Sequence, residues 1–207
     1  MKYDLEHLTQ DPAQDLFGPI QDDEALFLYG MIRTCRISRI VEVGGLNGYS
    51  ATNFLKAMSW TEDSILYSID LSEVPQIASN HRTIQKNAKD IEREDFDQVP
   101  LGLLFLDCHD LEAEIQVFEK LLEWNLITEK TYLILHDTNL YPARLLEHCN
   151  QVSGGWVHQQ CERMMVNFLH DRDYNCVGLT TSKMDHNPDF PFRHGLTICK
   201  KFSRLVV

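Results

Sequence analysis

The stretch Arg39-Ile-Val-Glu-Val-Gly-Gly-Leu-Asn-Gly-Tyr-Ser-Ala51 constrains the fold more than any other part of this chain. Ile40, Val41 and Val43 make a short apolar run of the β-branched kind expected of a buried parallel strand. A turn with Gly44, Gly45 and Gly48 follows, and then Ala51, Phe54, Leu55 and Met58 recur at the spacing of an amphipathic helix. Strand, glycine turn and helix in this order let backbone approach a nucleotide-like ligand. Glycine has no Cβ to obstruct the approach, and the start of a helix offers N–H groups with no intrahelical partner. The dinucleotide fingerprint G-x-G-x-x-G is not satisfied in either register. Counted from Gly44, its other two places hold Leu46 and Tyr49; counted from Val43, its first glycine is missing.

Glu42-Val-Gly-Gly-Leu-Asn-Gly-Tyr-Ser-Ala51 resembles instead the first motif of class I S-adenosylmethionine-dependent methyltransferases, E-x-G-x-x-x-G-x-S, with Glu42, Gly44, Gly48 and Ser50 in its fixed places. It is similar in particular to the catechol O-methyltransferase type and the bacterial small-molecule O-methyltransferases, where G-Y-S-A also closes the turn. The resemblance runs over about residues 22 to 202. It implies an α/β, Rossmann-like domain with a seven-stranded, mostly parallel sheet in the order 3-2-1-4-5-7-6 and helices on both faces. It also implies S-adenosylmethionine as cofactor, held by Glu42, Gly44, Gly45, Leu46, Gly48 and Ser50.

Residues 1–21 are polar, carry Pro12 and Pro19, and read as a lead-in or as a lid over the site; residues 22–207 read as a single domain. Asp22 to Arg36 is a predicted helix, with Asp22, Asp23 and Glu24 in the first turn, where acids suit the helix dipole, and Ala25, Leu28, Tyr29, Ile32 and Cys35 on one face. Ser64 to Asp70 is a second buried strand ending in an acid. In both dinucleotide enzymes and methyltransferases an acid at that place binds the ribose hydroxyls, which makes Asp70 the leading cofactor contact. Leu71 to Asn80 is too short and proline-broken for a full helical crossover, and His81 to Lys86 is a candidate third strand. Ala88, Lys89 and Asp90 follow, where the family lines the adenine.

Leu101 to Asp107 and Thr131 to Asp137 are the fourth and fifth strands, each ending in an acidic and histidine-bearing cluster: Asp107-Cys-His-Asp110 and His136-Asp-Thr-Asn139. Between them lies a helix with Leu111, Ile115, Phe118 and Leu122 on its inner face. A helix from about Val157 to Leu169 turns Cys161, Met164, Met165 and Phe168 inward, and Tyr174–Leu179 and Gly195–Lys200 are the last two strands, antiparallel in the family. Glu42, Asp70, Asp107 and Asp137 thus all end strands at one edge of the sheet, where ligands of open α/β sheets bind. Their mutual repulsion calls for a cation, a sulfonium or ligand hydroxyls.

In the metal-assisted O-methyltransferases that this chain resembles, the acids ending strands four and five hold a divalent ion with help from a neighbour. Asp107 and Asp137 match those ligands, Asp107 and Cys108 also border the cofactor, and Asn139, with His136 or Thr138 as rivals, is the neighbour. Carboxylate and amide oxygens favour Mg²⁺, Mn²⁺ or Ca²⁺, and an imidazole ligand tilts the choice toward Mn²⁺ or Fe²⁺. Such an ion would lower the pKa of a substrate hydroxyl and hold the oxyanion beside the methyl group. The catechol type has a lysine as general base three residues after the strand-four acid; here that place holds Asp110. His109 is the replacement base, with Asp110 next to it to orient the ring, and His136 is the rival. An imidazole of ordinary pKa, about 6.5, can accept a proton at neutral pH.

A formal net charge of −12 disfavours nucleic acid as a partner. No signal-peptide core or membrane-length run appears, and the six scattered cysteines lack a C-x-x-C pair, so they read as reduced thiols of a cytoplasmic protein. The resemblance implies methyl transfer to a hydroxyl of a small-molecule substrate. Two alternatives stand beside it: a non-catalytic cofactor-binding protein of the same fold, and a nicotinamide oxidoreductase. Oligomeric state is left open.

Overall fold

The computed structural model describes residue 20 and residues 22–138, 158–179 and 195–202. Seven strands form one sheet in the order β3-β2-β1-β4-β5-β7-β6. They are β1 (Arg39–Val43), β2 (Ile65–Asp70), β3 (His81–Gln85), β4 (Leu103–Leu106), β5 (Tyr132–Leu135), β6 (Tyr174–Leu179) and β7 (Leu196–Lys201). The pairs among β1 to β5 are parallel, and β7 runs antiparallel to both β5 and β6. The order reverses between β1 and β4, so the loops after these two strands diverge and leave a crevice between them. Leu71 to Asn80 joins β2 to β3 without a helix, as its length and Pro75 dictate.

Strand alternation sorts the sheet into two cores. Ile40, Leu66, Leu103, Phe105 and Ile134 face α1 (Asp22–Cys35) and α2 (Tyr49–Met58), against Leu28, Ile32, Phe54 and Met58. Val41, Tyr67, Leu104, Leu106 and Leu133 face the other way, toward α3 (Leu111–Glu123) and α4 (His158–His170), against Val117, Phe118, Leu121 and Met165. No helix among the described residues is long and apolar enough to cross a membrane.

Four sequence expectations change. The buried stripe of α3 is Ala113, Val117, Phe118 and Leu121, while Leu122 is 45% exposed. Two stripes overlap at Phe118, and the one that begins with a small residue lets the helix lie close to the sheet. On α4 the buried positions are Cys161, Met165 and Leu169, spaced by four, which turns Met164 outward at 51% exposure. Cys176 and Cys199 face each other in the β6–β7 register and form a disulfide, so the reading of all six cysteines as reduced thiols does not hold. Their separation of 23 residues in sequence conceals a pairing that only the hairpin creates. Cys35, expected on the inner face of α1, is an exposed thiol.

Candidate functional site

The glycine turn is fixed from both sides. Gly44 has φ +96°, and a Cβ there would stand 2.3 Å from the carbonyl oxygen of Asp107. Only a residue without a side chain lets the ends of β1 and β4 approach so closely, and the approach carries Asp107 to the glycine turn. Gly48 caps α2 in the left-handed region at φ 76°, and its Cβ would run into Ile77 of the β2–β3 loop at 2.9 Å. The turn itself bonds to the second strand: Leu46 N–H donates to Asp70 Oδ2 at 2.9 Å, and Ser72 N–H donates to Asp70 Oδ1 at 2.8 Å. Each carboxylate oxygen of Asp70 has a second lone-pair site left for a ligand hydroxyl.

Around this turn lies a cavity of about 610 Å³, within the range that holds a small-molecule ligand. Gly44, Gly45, Leu46, Gly48 and Ser50 line one side, Asp70 and Ala88 another, and Asp107, Cys108 and His109 a third. Ile20, just ahead of α1, reaches the cavity as well; the remainder of the expected lid, 1–19 and 21, lies outside the described residues. Three residues expected at the cofactor, Glu42, Lys89 and Asp90, do not border the cavity. Lys89 turns its ammonium to Glu112 at 2.7 Å and Asp110 at 3.2 Å. Glu42 lies one layer down, where the alternation of β1 turns it toward α2.

There Glu42 anchors a buried polar chain. The Ser50 hydroxyl donates to one of its oxygens, and Ser68 donates to the other at 2.6 Å. His81 Nε2 stands 2.9 Å from Ser68 Oγ. The Ile77 N–H donates to His81 Nδ1 at 3.2 Å, which leaves the ring proton on Nε2, pointing at Ser68. Burial pushes the Glu42 carboxyl up to about 7 against the two serine bonds, and pushes His81 down. Beneath the cavity these four side chains tie β1, β2, β3 and α2 together.

The second cluster lies at the ends of β4 and β5. Asp107, His109 and Asp137 each offer a ligand atom, and these atoms all lie within 4.8 Å of one another. His109 Nε2 is 3.7 Å from Asp107 Oδ1 and 3.7 Å from Asp137 Oδ2. His109 and Asp137 both have left-handed backbones, at φ 56° and 58°, a region that histidine and aspartate enter more readily than most side chains. The two carboxylates converging in this way fit a divalent cation of the Mg²⁺–Mn²⁺ class in charge and in donor chemistry, and the imidazole beside them can serve as a third donor or as a base. Asn139 lies outside the described residues. Thr138 is turned away, its hydroxyl accepting from Thr197 of β7 at 2.7 Å. Asp110, expected to orient the His109 ring, caps α3 instead by accepting from Ala113 N–H at 3.1 Å. Burial alone would raise its carboxyl, but that bond and the Lys89 ammonium hold it below the usual range.

His136 is 1% exposed and lies beneath this cluster. Its Nδ1 is 3.1 Å from Asp107 Oδ1 and 3.4 Å from Asp137 Oδ1, and its Nε2 is 3.1 Å from Glu24 Oε2. Burial disfavours the charged ring, but the Asp137 and Asp107 charges, with the bonds to Asp107 and Glu24, carry its pKa well above the ordinary value. Burial likewise raises Asp107, opposed by both histidines. Glu24 is a site residue that the sequence reading missed, taking it only as a partner of the helix dipole. A signal was there. Glu24 stands four residues before Leu28 and eight before Ile32, so helical periodicity puts an acid on the buried face of α1.

No protein-family model and no curated protein matches this sequence. Solved structures do. One is a Podospora anserina methyltransferase bound to S-adenosylhomocysteine, with 13% identity, TM-score 0.61, and 96% of this chain and 87% of that one covered. Another is an O-methyltransferase of Streptomyces achromogenes involved in tomaymycin synthesis, in complex with S-adenosylmethionine (17%, TM-score 0.62, coverage 98% and 92%). A third is a Bacillus cereus O-methyltransferase in complex with S-adenosylhomocysteine (16%, TM-score 0.60, coverage 96% and 90%). At such identities the likeness is one of fold. The chain has the Rossmann-like fold of class I S-adenosylmethionine-dependent methyltransferases.

Proposed function

We propose that this protein transfers a methyl group from S-adenosylmethionine to a hydroxyl of a small molecule, assisted by a divalent ion held by Asp107 and Asp137. The observation that carries the proposal is the convergence of the glycine turn, Asp70 and the Asp107–His109 segment on one cavity. When bound, S-adenosylmethionine supplies an electrophilic methyl group and the ion supplies a Lewis acid beside it. The chain does the rest. Asp70 accepts from the ribose hydroxyls through its remaining lone pairs, and Ala88 offers an apolar wall to the base. Asp107 and Asp137 fix the acceptor side, and His109 takes the proton of the acceptor hydroxyl at its ring nitrogen. Proximity and orientation supply most of the acceleration in such a transfer. The net charge of −12 supports a small molecule over nucleic acid as the acceptor.

Calorimetry with S-adenosylmethionine, S-adenosylhomocysteine and NAD tests the cofactor. The first two should bind, and Asp70→Ala should weaken them by about 2 kcal/mol, roughly thirtyfold, through loss of charge-assisted bonds. Unchanged affinity would remove Asp70 from the site, and preference for NAD would move the protein to the oxidoreductases. Labelled cofactor with a panel of hydroxylated acceptors then tests the chemistry. Turnover should stop in excess chelator and return with Mg²⁺ or Mn²⁺. Full activity in chelator removes the ion, and binding without any turnover favours a non-catalytic cofactor-binding protein.

A further inference from the structure

Strand alternation explains why Glu24 and His136 meet. His136 is the first residue past β5, two beyond Ile134, and Asp107 is the first past β4, two beyond Phe105. Both therefore continue the row that faces α1 and α2, and the Phe105 and His136 rings lie 6.3 Å apart on that side. The first turn of α1 covers the same spot, with Glu24 only 2% exposed. That turn is held from α2, where Asn53 Nδ2 donates to the carbonyl of Ala25 at 3.0 Å. An acid and a histidine buried this deeply cost several kcal/mol in desolvation, which hydrogen bonding must offset. The surroundings supply it: one ring nitrogen of His136 faces Glu24, and the other lies between Asp107 and Asp137.

We propose that Glu24 and His136 form a positioning relay for the ion site: Glu24 holds the imidazole, and the imidazole holds the Asp107 and Asp137 carboxylates side by side with their other lone pairs directed at the cation. Glu24 is thus a positioning residue, contributed by a helix that supplies no ligand. The inference rests on the divalent site of the proposed function. His136, engaged at both nitrogens and buried, serves this relay and leaves proton transfer to His109, whose side chain is 28% exposed at the cavity. The relay also gives a reason for an acid on the core face of α1, where an apolar residue would pack without desolvation cost.

Binding of Mn²⁺ alone to the full chain, measured by calorimetry or by electron paramagnetic resonance, tests the relay. Glu24→Leu removes the acceptor at similar size, and Glu24→Gln keeps an acceptor oxygen. Partners of this kind, one shell behind the ligands, change metal affinity tenfold to a hundredfold. Glu24→Leu should weaken Mn²⁺ binding by about that factor, and Glu24→Gln should stay within about threefold of the wild type. Metal-free thermal unfolding should show both variants folded. The slowly exchanging imidazole N–H of His136 in ¹H–¹⁵N spectra should survive in Glu24→Gln and vanish in Glu24→Leu, a change that packing alone would not produce. Wild-type Mn²⁺ affinity in Glu24→Leu overturns the relay, as does equal loss in both variants together with lower unfolding temperatures. No Mn²⁺ binding by the wild type itself overturns the divalent site, and the relay with it.

Discussion

At the scale of single residues, two histidines with similar sequence credentials have different environments. His109 borders the cavity on a left-handed backbone, with Nε2 between two carboxylates at 3.7 Å, outside hydrogen-bond range. His136 is buried with both nitrogens close to carboxylates. Only the first can reach an acceptor in the cavity. His109→Ala should therefore lower kcat by roughly a hundredfold or more while leaving the affinity for S-adenosylmethionine unchanged, measured by single-turnover methyl transfer beside calorimetry. Normal turnover in that variant would take His109 out of the chemistry. A rate loss that excess Mn²⁺ restores would reassign it as an ion ligand.

At the scale of elements, the decisive contact is between the ends of β1 and β4. Gly44 and the Asp107 carbonyl meet there with no room for a Cβ, and Gly44 N–H donates to Ile69 O at 2.9 Å on its other side. Gly44→Ala should destabilise the fold by roughly 3 kcal/mol or more, since it combines a backbone clash with a disfavoured φ. Gly30 is a matched control. It lies within α1, where an added Cβ meets nothing within 4 Å, so Gly30→Ala should stabilise by about 0.5–1 kcal/mol. Urea unfolding of the two variants measures both. Equal effects would mean that the β1–β4 approach is not the constraint at Gly44.

At the scale of the whole molecule, the buried chain of Ser50, Glu42, Ser68 and His81 makes global stability depend on pH. The folded state raises the Glu42 carboxyl from 4.5 to about 7, so between these values it holds a proton that the unfolded chain has released. Stability from this group must fall as pH rises through that window, with the full cost present above it. The shift corresponds to about 3 kcal/mol as an order of magnitude. Glu42→Gln removes the titration. Its stability relative to the wild type should improve by about 3 kcal/mol between pH 4.5 and pH 8.5, read from denaturant unfolding at each pH. A pH-independent difference would mean that Glu42 keeps its charge at little cost.

The sequence by itself determined what depends on local order. The β-branched run before Gly44 made β1, the apolar periodicity made α1 and α2, and proline with short length removed the helix between β2 and β3. The resemblance of the first motif supplied the strand order, which local order does not contain. The acids ending β2 and β4 were legible because strand ends of a parallel sheet share one edge. Tertiary structure decided what depends on rotation and on partners distant in the chain. Glu24 and His136 stand 112 residues apart and meet only because α1 lies across the end of β5. Asp110 was free in the sequence to orient His109, but the start of α3 needed a cap, and backbone donors at 3.1 Å prevailed over a neighbouring ring. Glu42 follows its motif in sequence yet points away from the cavity, because alternation along β1 leaves each side chain one face. Which of two overlapping stripes a helix buries, and which cysteines a hairpin brings opposite, are likewise settled only when the elements pack. Periodicity fixes the faces of an element, and packing chooses what each face will meet.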